Sequence, residues 1–202
     1  MKTHNLYLVR HGQSIYNLEN RFTGWKDIDL TDLGKRQAKE AGEILSDINF
    51  DYCFISNLKR AQDTLDLILN EIKQSPPVES DVALNERDYG DLTGLNKQET
   101  AEKYGKEQVH IWRRSFDVPP PGGESLKNVV ERVKPYFDTN IEPELKKKKN
   151  ILISAHGNSL RAMMICVGLY QPGEITKIEL PTGSPFVFCY EEGQLIKSEY
   201  LV

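Results

Sequence analysis

The sequence is poor in the residues that mark disulfide-stabilised, cysteine-rich or membrane-spanning proteins. It holds only three cysteines in 202 residues, Cys53, Cys166 and Cys189, an odd number at wide spacing. Such spacing suits neither a disulfide framework nor a metal site, so we interpret them as small core residues. No apolar run approaches the roughly 18 residues that a bilayer-spanning helix needs. Low-complexity tracts and internal repeats are absent as well, which favours a soluble globular protein.

Neither sign of charge is in large excess. The formal net charge is −4, from 26 basic and 30 acidic residues, which gives no overall attraction for nucleic acid or an anionic membrane. The one basic block, Lys146–Lys149, precedes a predicted strand, and we interpret it as a solvated turn. An anionic ligand would therefore be held by locally gathered cations. Because Met1 leads directly into the first strand with no room for a signal peptide, we expect a cytoplasmic location.

Apolar patterning predicts the fold class. A length of 202 residues with 39% hydrophobic residues suits one core, so we expect a single domain over residues 1–202. Strands are predicted at 6–9, 52–55 and 151–155, helices near 31–47, from 56 or 57 to 72 and from 125, and a terminal hairpin at 186–196. This order predicts an α/β three-layer sandwich, with a mainly parallel central sheet and helices on both faces.

A strand that ends in Arg10-His11-Gly12 is the first candidate site. Open α/β folds bind ligands at the carboxyl edge of the sheet, where these polar residues would lie. A neutral imidazole can act as a nucleophile, an arginine suits an anionic substrate such as phosphate, and Gly12 allows close backbone approach. The alternative is a surface loop that holds these residues by chance.

The pattern occurs a second time at the end of the strand 151–155, which is followed by His156-Gly157. Asn158 or Ser159 is predicted to cap a helix starting near Leu160, and a helix N-terminus attracts anions. Two imidazoles at neighbouring strand ends, beside an arginine and a helix terminus, predict a phosphate site that contains a nucleophile. Arg60 is predicted in or near the first turn of another helix, where a cation opposes the helix dipole, which suggests a different role at the ligand edge. The alternative is an ordinary exposed arginine.

Six blocks of sequence resemble the cofactor-dependent phosphoglycerate mutase family of the histidine phosphatase superfamily. They are RHGQSIYN at 10–17, FTGW at 22–25, LNERDYG at 84–90, GLNKQETAEKYG at 94–105, WRR at 112–114 and AHGNSLRA at 155–162. The resemblance covers nearly the whole chain and implies a phosphoglycerate mutase-like fold. Two departures are a shortened PPGGES segment at 120–125 and Asp88, where the family often has histidine.

The resemblance implies a role for each matching residue. His11 would be the nucleophile, carried as phosphohistidine, and Glu86 the acid/base, while Arg10, Arg60 and His156 would surround the transferring phosphoryl group. The residues implied to bind substrate are Asn17, Thr23, Gly24, Arg87, Tyr89, Lys97, Arg113, Arg114, Gly157 and Asn158.

The function implied is interconversion of 2-phosphoglycerate and 3-phosphoglycerate in glycolysis and gluconeogenesis, primed by 2,3-bisphosphoglycerate. We expect no metal, because arginines would neutralise the phosphoryl charge, and no nucleic-acid or membrane partner. Members of the family often form dimers or tetramers, so a homodimer is one expectation. The alternatives are a phosphatase of the same superfamily, in which water takes the phosphoryl group from His11, and a non-catalytic phosphoprotein-binding module.

Overall fold

A six-stranded sheet forms the centre of the computed structural model, which describes residues 4–202. The strands are β1 (His4–Arg10), β2 (Tyr52–Ser56), β3 (Val78–Asp81), β4 (Ile151–Ala155), β5 (Pro185–Glu191) and β6 (Gln194–Tyr200). Their order in the sheet is β3-β2-β4-β1-β5-β6. The first four are mutually parallel, and the hairpin β5–β6 adds two antiparallel strands beside β1. The prediction of a mainly parallel sheet with a terminal hairpin is therefore confirmed.

Helices cover both faces of this sheet. They are α1 (Ile15–Leu18), α2 (Asp32–Ile44), α3 (Lys59–Ile72), α4 (Lys97–Tyr104), α5 (Lys106–Arg114), α6 (Leu126–Tyr136), α7 (Glu142–Lys146), α8 (Gly157–Cys166) and α9 (Pro172–Ile175), with 3-10 turns at Val82–Leu84 and Gly90–Leu92 and a π-helical turn at Phe137–Ile141. The π-helical turn begins two residues after Pro135, where the sequence predicts that the regular helix kinks or ends.

Alternate side chains of the inner strands β1, β2, β4 and β5 enter two separate cores, since successive strand residues point to opposite faces. Tyr7, Val9 and Leu152 pack with the apolar residues of α2 and α3 on one face. Leu8 and Ile153 pack with α6, α7 and α8 on the other. The three layers, and hence the predicted α/β sandwich, follow from this alternation.

Three details of the prediction are wrong. Strand β3 was not predicted, because the short edge strand VESD carries no apolar run and its side chains are only partly buried. Helix α3 begins at Lys59 rather than after a Ser56 or Asn57 cap, since Ser56 still belongs to β2. Helix α8 begins at Gly157, because His156 is its N-cap residue and Ser159, at the third helical position, accepts a hydrogen bond from the His156 N–H.

Cysteine and lysine predictions agree with the structure. Cys53 is buried, while Cys166 and Cys189 are half-buried against the two cores, and all three are free thiols. Lys146 and Lys147 are exposed and pair with glutamates of α7, at the end of β4 opposite to His156. Within residues 4–202, no helix is long and apolar enough to cross a membrane.

Backbone contact between two glycines positions the loop that carries His11. A Cβ atom on Gly34, in the first turn of α2, would lie 2.1 Å from the carbonyl oxygen of Gln13, and one on Gly12 would lie 2.2 Å from that of Gly34. Real Cβ atoms do not approach oxygen so closely. The start of α2 can therefore pack directly on the loop after β1 only because both residues lack side chains.

We expect Gly34→Ala to lower the free energy of unfolding by about 2–3 kcal/mol, because the methyl group must push the His11 loop away from α2. Urea denaturation measures this. Gly173→Ala is the matched control, since a Cβ there meets no atom within 4 Å, and it should change stability by less than about 0.5 kcal/mol. Equal stabilities of the two variants would contradict the packing argument.

Candidate active site

The two predicted histidines meet at the carboxyl edge of the sheet. Strands β1 and β4 are parallel neighbours whose register pairs Arg10 with Ala155, so the residue after each strand is brought to the same position. The His11 N–H donates to the Ala155 carbonyl at 3.0 Å, and the ring centroids of His11 and His156 are 5.0 Å apart. Both rings are buried, at 2% and 0% exposure. The prediction that these imidazoles share one site agrees with this geometry.

Hydrogen bonds define the tautomer of His11. Its Nδ1–H donates to the Gly12 carbonyl at 2.7 Å, and its Nε2 accepts from Arg60 Nε at 3.3 Å. Burial lowers the pKa of His11 well below its usual value, and the charges of Arg60 and Arg10 lower it further. The imidazole is therefore neutral at neutral pH, with the lone pair on Nε2, which is the form a nucleophile requires.

His156 is held by the neighbouring strand β2. Its Nε2 shares a hydrogen bond of 2.6 Å with the Ser56 hydroxyl. Burial, followed by the charges of Arg60 and the other groups of the site, lowers the pKa of His156 well below its usual value. Within the described residues, the buried atoms His156 Nδ1 and Arg10 Nε have no hydrogen-bond partner. Buried polar atoms are normally partnered, so two such atoms beside His11 fit a site built for a polar ligand.

The depressed histidine pKa values predict a loss of stability in acid. Below pH ~6.5 the unfolded chain protonates His11 and His156 while the folded protein does not, so the unfolded state binds more protons and stability falls with falling pH. The slope is at most about 1.4 kcal/mol per pH unit for each histidine, and it vanishes above that range. Urea denaturation at pH 7.5, 6.5 and 5.5 measures it. His156→Gln should reduce the slope, whereas the exposed His110→Gln should not, and identical slopes in both variants would contradict this assignment.

Arg60 is a buried cation directed at His11 by loop carbonyls. Its Nη2 donates to the Gly24 carbonyl at 2.9 Å and its Nη1 to the Lys26 carbonyl at 3.0 Å. Burial lowers its pKa to about 10, so it is still charged at neutral pH. The conformation of Gly24 (φ = 55°) presents this carbonyl, in the left-handed region that glycine adopts without strain. A buried cation beside His11 supports the prediction that Arg60 binds a ligand.

Glu86 is an ionised buried carboxylate. Its Oε1 accepts hydrogen bonds from the Arg87 N–H at 2.7 Å and from the N–H and side-chain amide of Asn158 at 3.1 and 3.0 Å. Burial alone would raise the pKa of Glu86, but these hydrogen bonds and the charges of Arg60 and Arg10 outweigh it and lower the pKa. The carboxylate can therefore accept a proton at neutral pH.

Two neighbouring cavities, an inner lobe and an outer lobe, are lined by several of these groups. The inner lobe, of about 60 Å³, is lined by Arg10, His11, Asn17, Arg21, Phe22, Thr23, Arg60, Glu86, Tyr89 and Lys97. The outer lobe, of about 130 Å³, is lined by Arg10, Glu86, Tyr89, Lys97, Arg113, Arg114, Gly157, Asn158, Arg161 and Glu179. Four residues line both lobes, so Glu86 lies at the junction between them. Cations dominate both linings, which suits a ligand with at least two anionic groups.

Arg87, like Gly24, differs from the other predicted substrate-binding residues, because it lines neither lobe. Its buried guanidinium lies behind Tyr89, 4.7 Å from the centroid of that ring, and Nη2 is 3.4 Å from the Arg113 carbonyl. Burial alone would raise the pKa of the Tyr89 phenol, but the charge and hydrogen bond of Arg87, together with the charge of Lys97, lower it overall. Arg87 thus contacts groups of the outer lobe, while its direct contact with substrate remains a prediction.

Sequence reasoning missed several residues of the site. Arg161 lines the outer lobe from α8, one turn after Gly157, and its place within the AHGNSLRA block was the signal that could have identified it. Trp25 Nε1 and Arg132 Nη2 donate to the Glu86 carbonyl at 2.6 and 3.0 Å and hold that residue in place from distant elements. Asp88 accepts from the Gly90 N–H at 2.9 Å, so it stabilises a turn. Within residues 4–202, no group of three or more His, Cys, Asp or Glu side chains is arranged to hold a metal ion.

Residues 6–200 match the family model of the histidine phosphatase superfamily, branch 1. The chain belongs to this superfamily. The match spans β1 through β6 and includes both histidine motifs, so the resemblance inferred from the sequence blocks is confirmed.

Curated relatives within the superfamily cover nearly the whole chain. The 2,3-bisphosphoglycerate-dependent phosphoglycerate mutase of Methylocella silvestris is 52% identical over 98% of this chain and 97% of that protein. The enzyme of the same name from Nitrobacter hamburgensis is 55% identical over 91% of this chain and 90% of its own. A mycobacterial glucosyl-3-phosphoglycerate phosphatase has the same fold, with a TM-score of 0.82 and 23% identity over 98% of this chain and 97% of that one.

Proposed function

We propose that this protein is a 2,3-bisphosphoglycerate-dependent phosphoglycerate mutase that carries the phosphoryl group on His11. The observation that carries the proposal is the placement of three features in two lobes that share four lining residues: a neutral Nε2 on His11, a carboxylate at the junction of the lobes, and a second cation-lined lobe. The names of the relatives that are 52% and 55% identical support the same reaction. A cytoplasmic location, a single domain and a homodimer remain predictions.

The priming step would transfer one phosphoryl group to the enzyme. The Glu86 carboxylate would first take up a proton as the polyanionic ligand enters, because nearby negative charge favours the protonated acid. His11 Nε2 then attacks a phosphorus atom of 2,3-bisphosphoglycerate, the P–O bond to the substrate breaks, and the leaving oxygen takes that proton from Glu86. Arg10 and Arg60 would neutralise the charge of the equatorial oxygens, and the neutral imidazole of His156 would contact them by a hydrogen bond, because phosphoryl transfer depends mainly on positioning and charge stabilisation. The residues that hold the primer would be those that line the two lobes, and no metal is assigned a role.

Isomerisation would follow by transfer of the phosphoryl group to the other hydroxyl. In the phosphoenzyme, the free hydroxyl of the bound phosphoglycerate attacks the phosphorus while the Glu86 carboxylate accepts its proton. The bisphosphorylated intermediate then reorients and returns its other phosphoryl group to His11, and Glu86 gives the proton back. The position of Glu86 between the lobes suits both transfers, since the reacting oxygen joins the phosphoryl group to the carbon skeleton.

The outer lobe would hold the anionic groups that are not reacting. Arg113, Arg114, Lys97 and the N-terminal residues of α8, Gly157 and Asn158, would bind the carboxylate and the second phosphate. Burial lowers the pKa of Lys97, which places this cation among the desolvated groups of the lining. Asn17, Thr23 and Gly24 would contact the transferring group from the other side.

The assay for this proposal supplies 3-phosphoglycerate and a trace of 2,3-bisphosphoglycerate and measures both products. A mutase forms 2-phosphoglycerate with little inorganic phosphate. Release of phosphate in excess over isomerisation would favour the phosphatase alternative. The mycobacterial protein with the same fold is named a phosphatase. Binding without either reaction would indicate the phosphoprotein-binding alternative.

Arg113→Ala should mainly weaken substrate binding. The side chain lines only the outer lobe, so its loss removes a charge-assisted contact to a group that does not react. We expect KM for 3-phosphoglycerate to rise by about tenfold, with a much smaller change in kcat. Steady-state kinetics measure both constants, and the exposed Arg36→Ala is the control. Unchanged constants in Arg113→Ala would remove Arg113 from the substrate site.

A further inference from the structure

The outer lobe contains a carboxylate that the proposed reaction does not use. Glu179 lies between α9 and β5, and its side chain joins the lining formed by Arg113, Arg114 and Arg161. The other acid of the lining, Glu86, is already bound by N–H groups of the site. An unassigned anion in a cavity lined by cations competes for the same partners as an anionic ligand.

The Glu179 carboxylate occupies two of the arginines. Its Oε1 accepts from Arg114 Nη2 at 2.5 Å, and its Oε2 lies 3.9 Å from Arg161 Nη2. The Glu179 side chain is nevertheless 67% exposed, whereas the Arg114 side chain is 30% exposed. An ion pair with one largely solvated partner is weakly held, so the carboxylate can leave Arg114 at small cost.

The side chain of Glu179 can leave Arg114, but the backbone around Glu179 is held in place. The carbonyl oxygens of residues 178–180 accept hydrogen bonds from Arg161, Tyr200 and Arg10, at 2.8, 2.9 and 2.7 Å respectively. These three contacts hold the backbone on both sides of Glu179. Rotation of its side chain toward solvent would therefore expose Arg114 without movement of the segment.

We propose that Glu179 is a displaceable internal anion of the outer lobe. The carboxylate of an incoming phosphoglycerate replaces that of Glu179 on Arg114, and Glu179 returns when the product leaves. Glu179 thereby lowers the affinity of the site for ligands that carry a carboxylate beside the phosphate group. This inference rests on the proposed function, because it names the substrate group that the outer lobe receives.

The test compares two phosphate esters that differ in the carboxylate. Calorimetry on the dephosphorylated enzyme measures Kd for 3-phosphoglycerate and for glycerol 3-phosphate, which lacks that group. In Glu179→Gln we expect Kd for 3-phosphoglycerate to fall by about fivefold, because a competing charge is removed from a partly exposed site, while Kd for glycerol 3-phosphate changes by less than about twofold. KM for 3-phosphoglycerate should fall in parallel.

The control is Glu192→Gln, which removes the same charge from the β5–β6 turn at the opposite end of the sheet and should leave both Kd values unchanged. Glu179→Ala repeats the test with a second side chain, and thermal denaturation verifies that each variant folds. If Glu179 instead held Arg114 in place for the substrate, both variants would bind 3-phosphoglycerate more weakly.

Weaker or unchanged binding of 3-phosphoglycerate in the Glu179 variants overturns the inference, and so does equal tightening of both esters. An enzyme that binds 3-phosphoglycerate but does not isomerise it refutes the proposed function alone, since the Kd comparison still reports on Glu179. An enzyme that does not bind 3-phosphoglycerate refutes both.

Discussion

Replacing His11 with alanine is expected to abolish the phosphoenzyme and to lower kcat by at least ~10⁴-fold, the scale on which loss of a nucleophile acts. The reason is chemical: within the inner lobe, the Nε2 of His11 is a neutral nitrogen with an available lone pair beside two arginines. Its removal leaves the charged pocket but no atom to which the phosphoryl group can be transferred. The decisive measurement is mass spectrometry after brief exposure to 2,3-bisphosphoglycerate, with the labile phosphate mapped to a residue.

The exposed His110 offers a matched control, because His110→Ala removes the same side chain from the surface of α5. That variant should form phosphoenzyme at the rate of the parent. Binding of 3-phosphoglycerate to His11→Ala, measured by calorimetry, verifies that the cavity survives. A phosphoenzyme that persisted in His11→Ala, or a phosphate located on another residue, would refute the assignment of the nucleophile.

Glu86→Gln is expected to lower kcat by about 10²–10⁴-fold with a much smaller effect on KM, because the amide cannot carry the proton between the two hydroxyl oxygens. The substitution keeps the shape of the side chain and an oxygen that can accept the hydrogen bonds from Arg87 and Asn158. The loss should therefore reflect proton transfer rather than a misplaced loop. Steady-state kinetics and single-turnover phosphorylation of His11 measure it.

The leaving group distinguishes acid catalysis from a general electrostatic role of Glu86. A phenolate such as that of p-nitrophenyl phosphate leaves with little protonation, whereas a sugar-acid alkoxide needs a proton. Glu86→Gln should thus slow phosphorylation by 2,3-bisphosphoglycerate far more than phosphorylation by p-nitrophenyl phosphate. Glu43→Gln, an exposed substitution on α2, should slow neither reaction. Equal losses with both donors would contradict the role of Glu86 as acid/base.

Local patterns were sufficient for most of the fold. The Thr31 and Ser125 N-caps of α2 and α6 agree with the structure, because their side chains accept the N–H groups that the start of a helix leaves free. Gly105 separates helices α4 and α5, and glycine has a low helix propensity. The apolar pattern did not predict β3. This edge strand forms because it pairs with the neighbouring strand β2, whereas its own residues show no strand pattern.

The site was predicted from strand ends and motif blocks, and the residues missed share a physical reason. Glu179 enters the outer lobe from the segment before β5, where no local signal indicates a ligand, and Arg161 enters from α8, where its place in the AHGNSLRA block was the only signal. Arg132 reaches the Glu86 carbonyl from α6, 46 residues further along the chain. Contacts over such separations depend on how the helices pack on the sheet.

Short stretches of neighbouring residues encode the two histidine motifs, the alternation of strands and helices, and the order of blocks that the superfamily shares, so these features could be predicted before the fold was known. Three features could be known only from the folded protein: β1 and β4 are adjacent, Nε2 is the unprotonated nitrogen of His11, and Glu179 neutralises Arg114 in the outer lobe. The first set depends on local conformation and side-chain chemistry. The second depends on distances between atoms from separate elements, which packing of the two cores establishes.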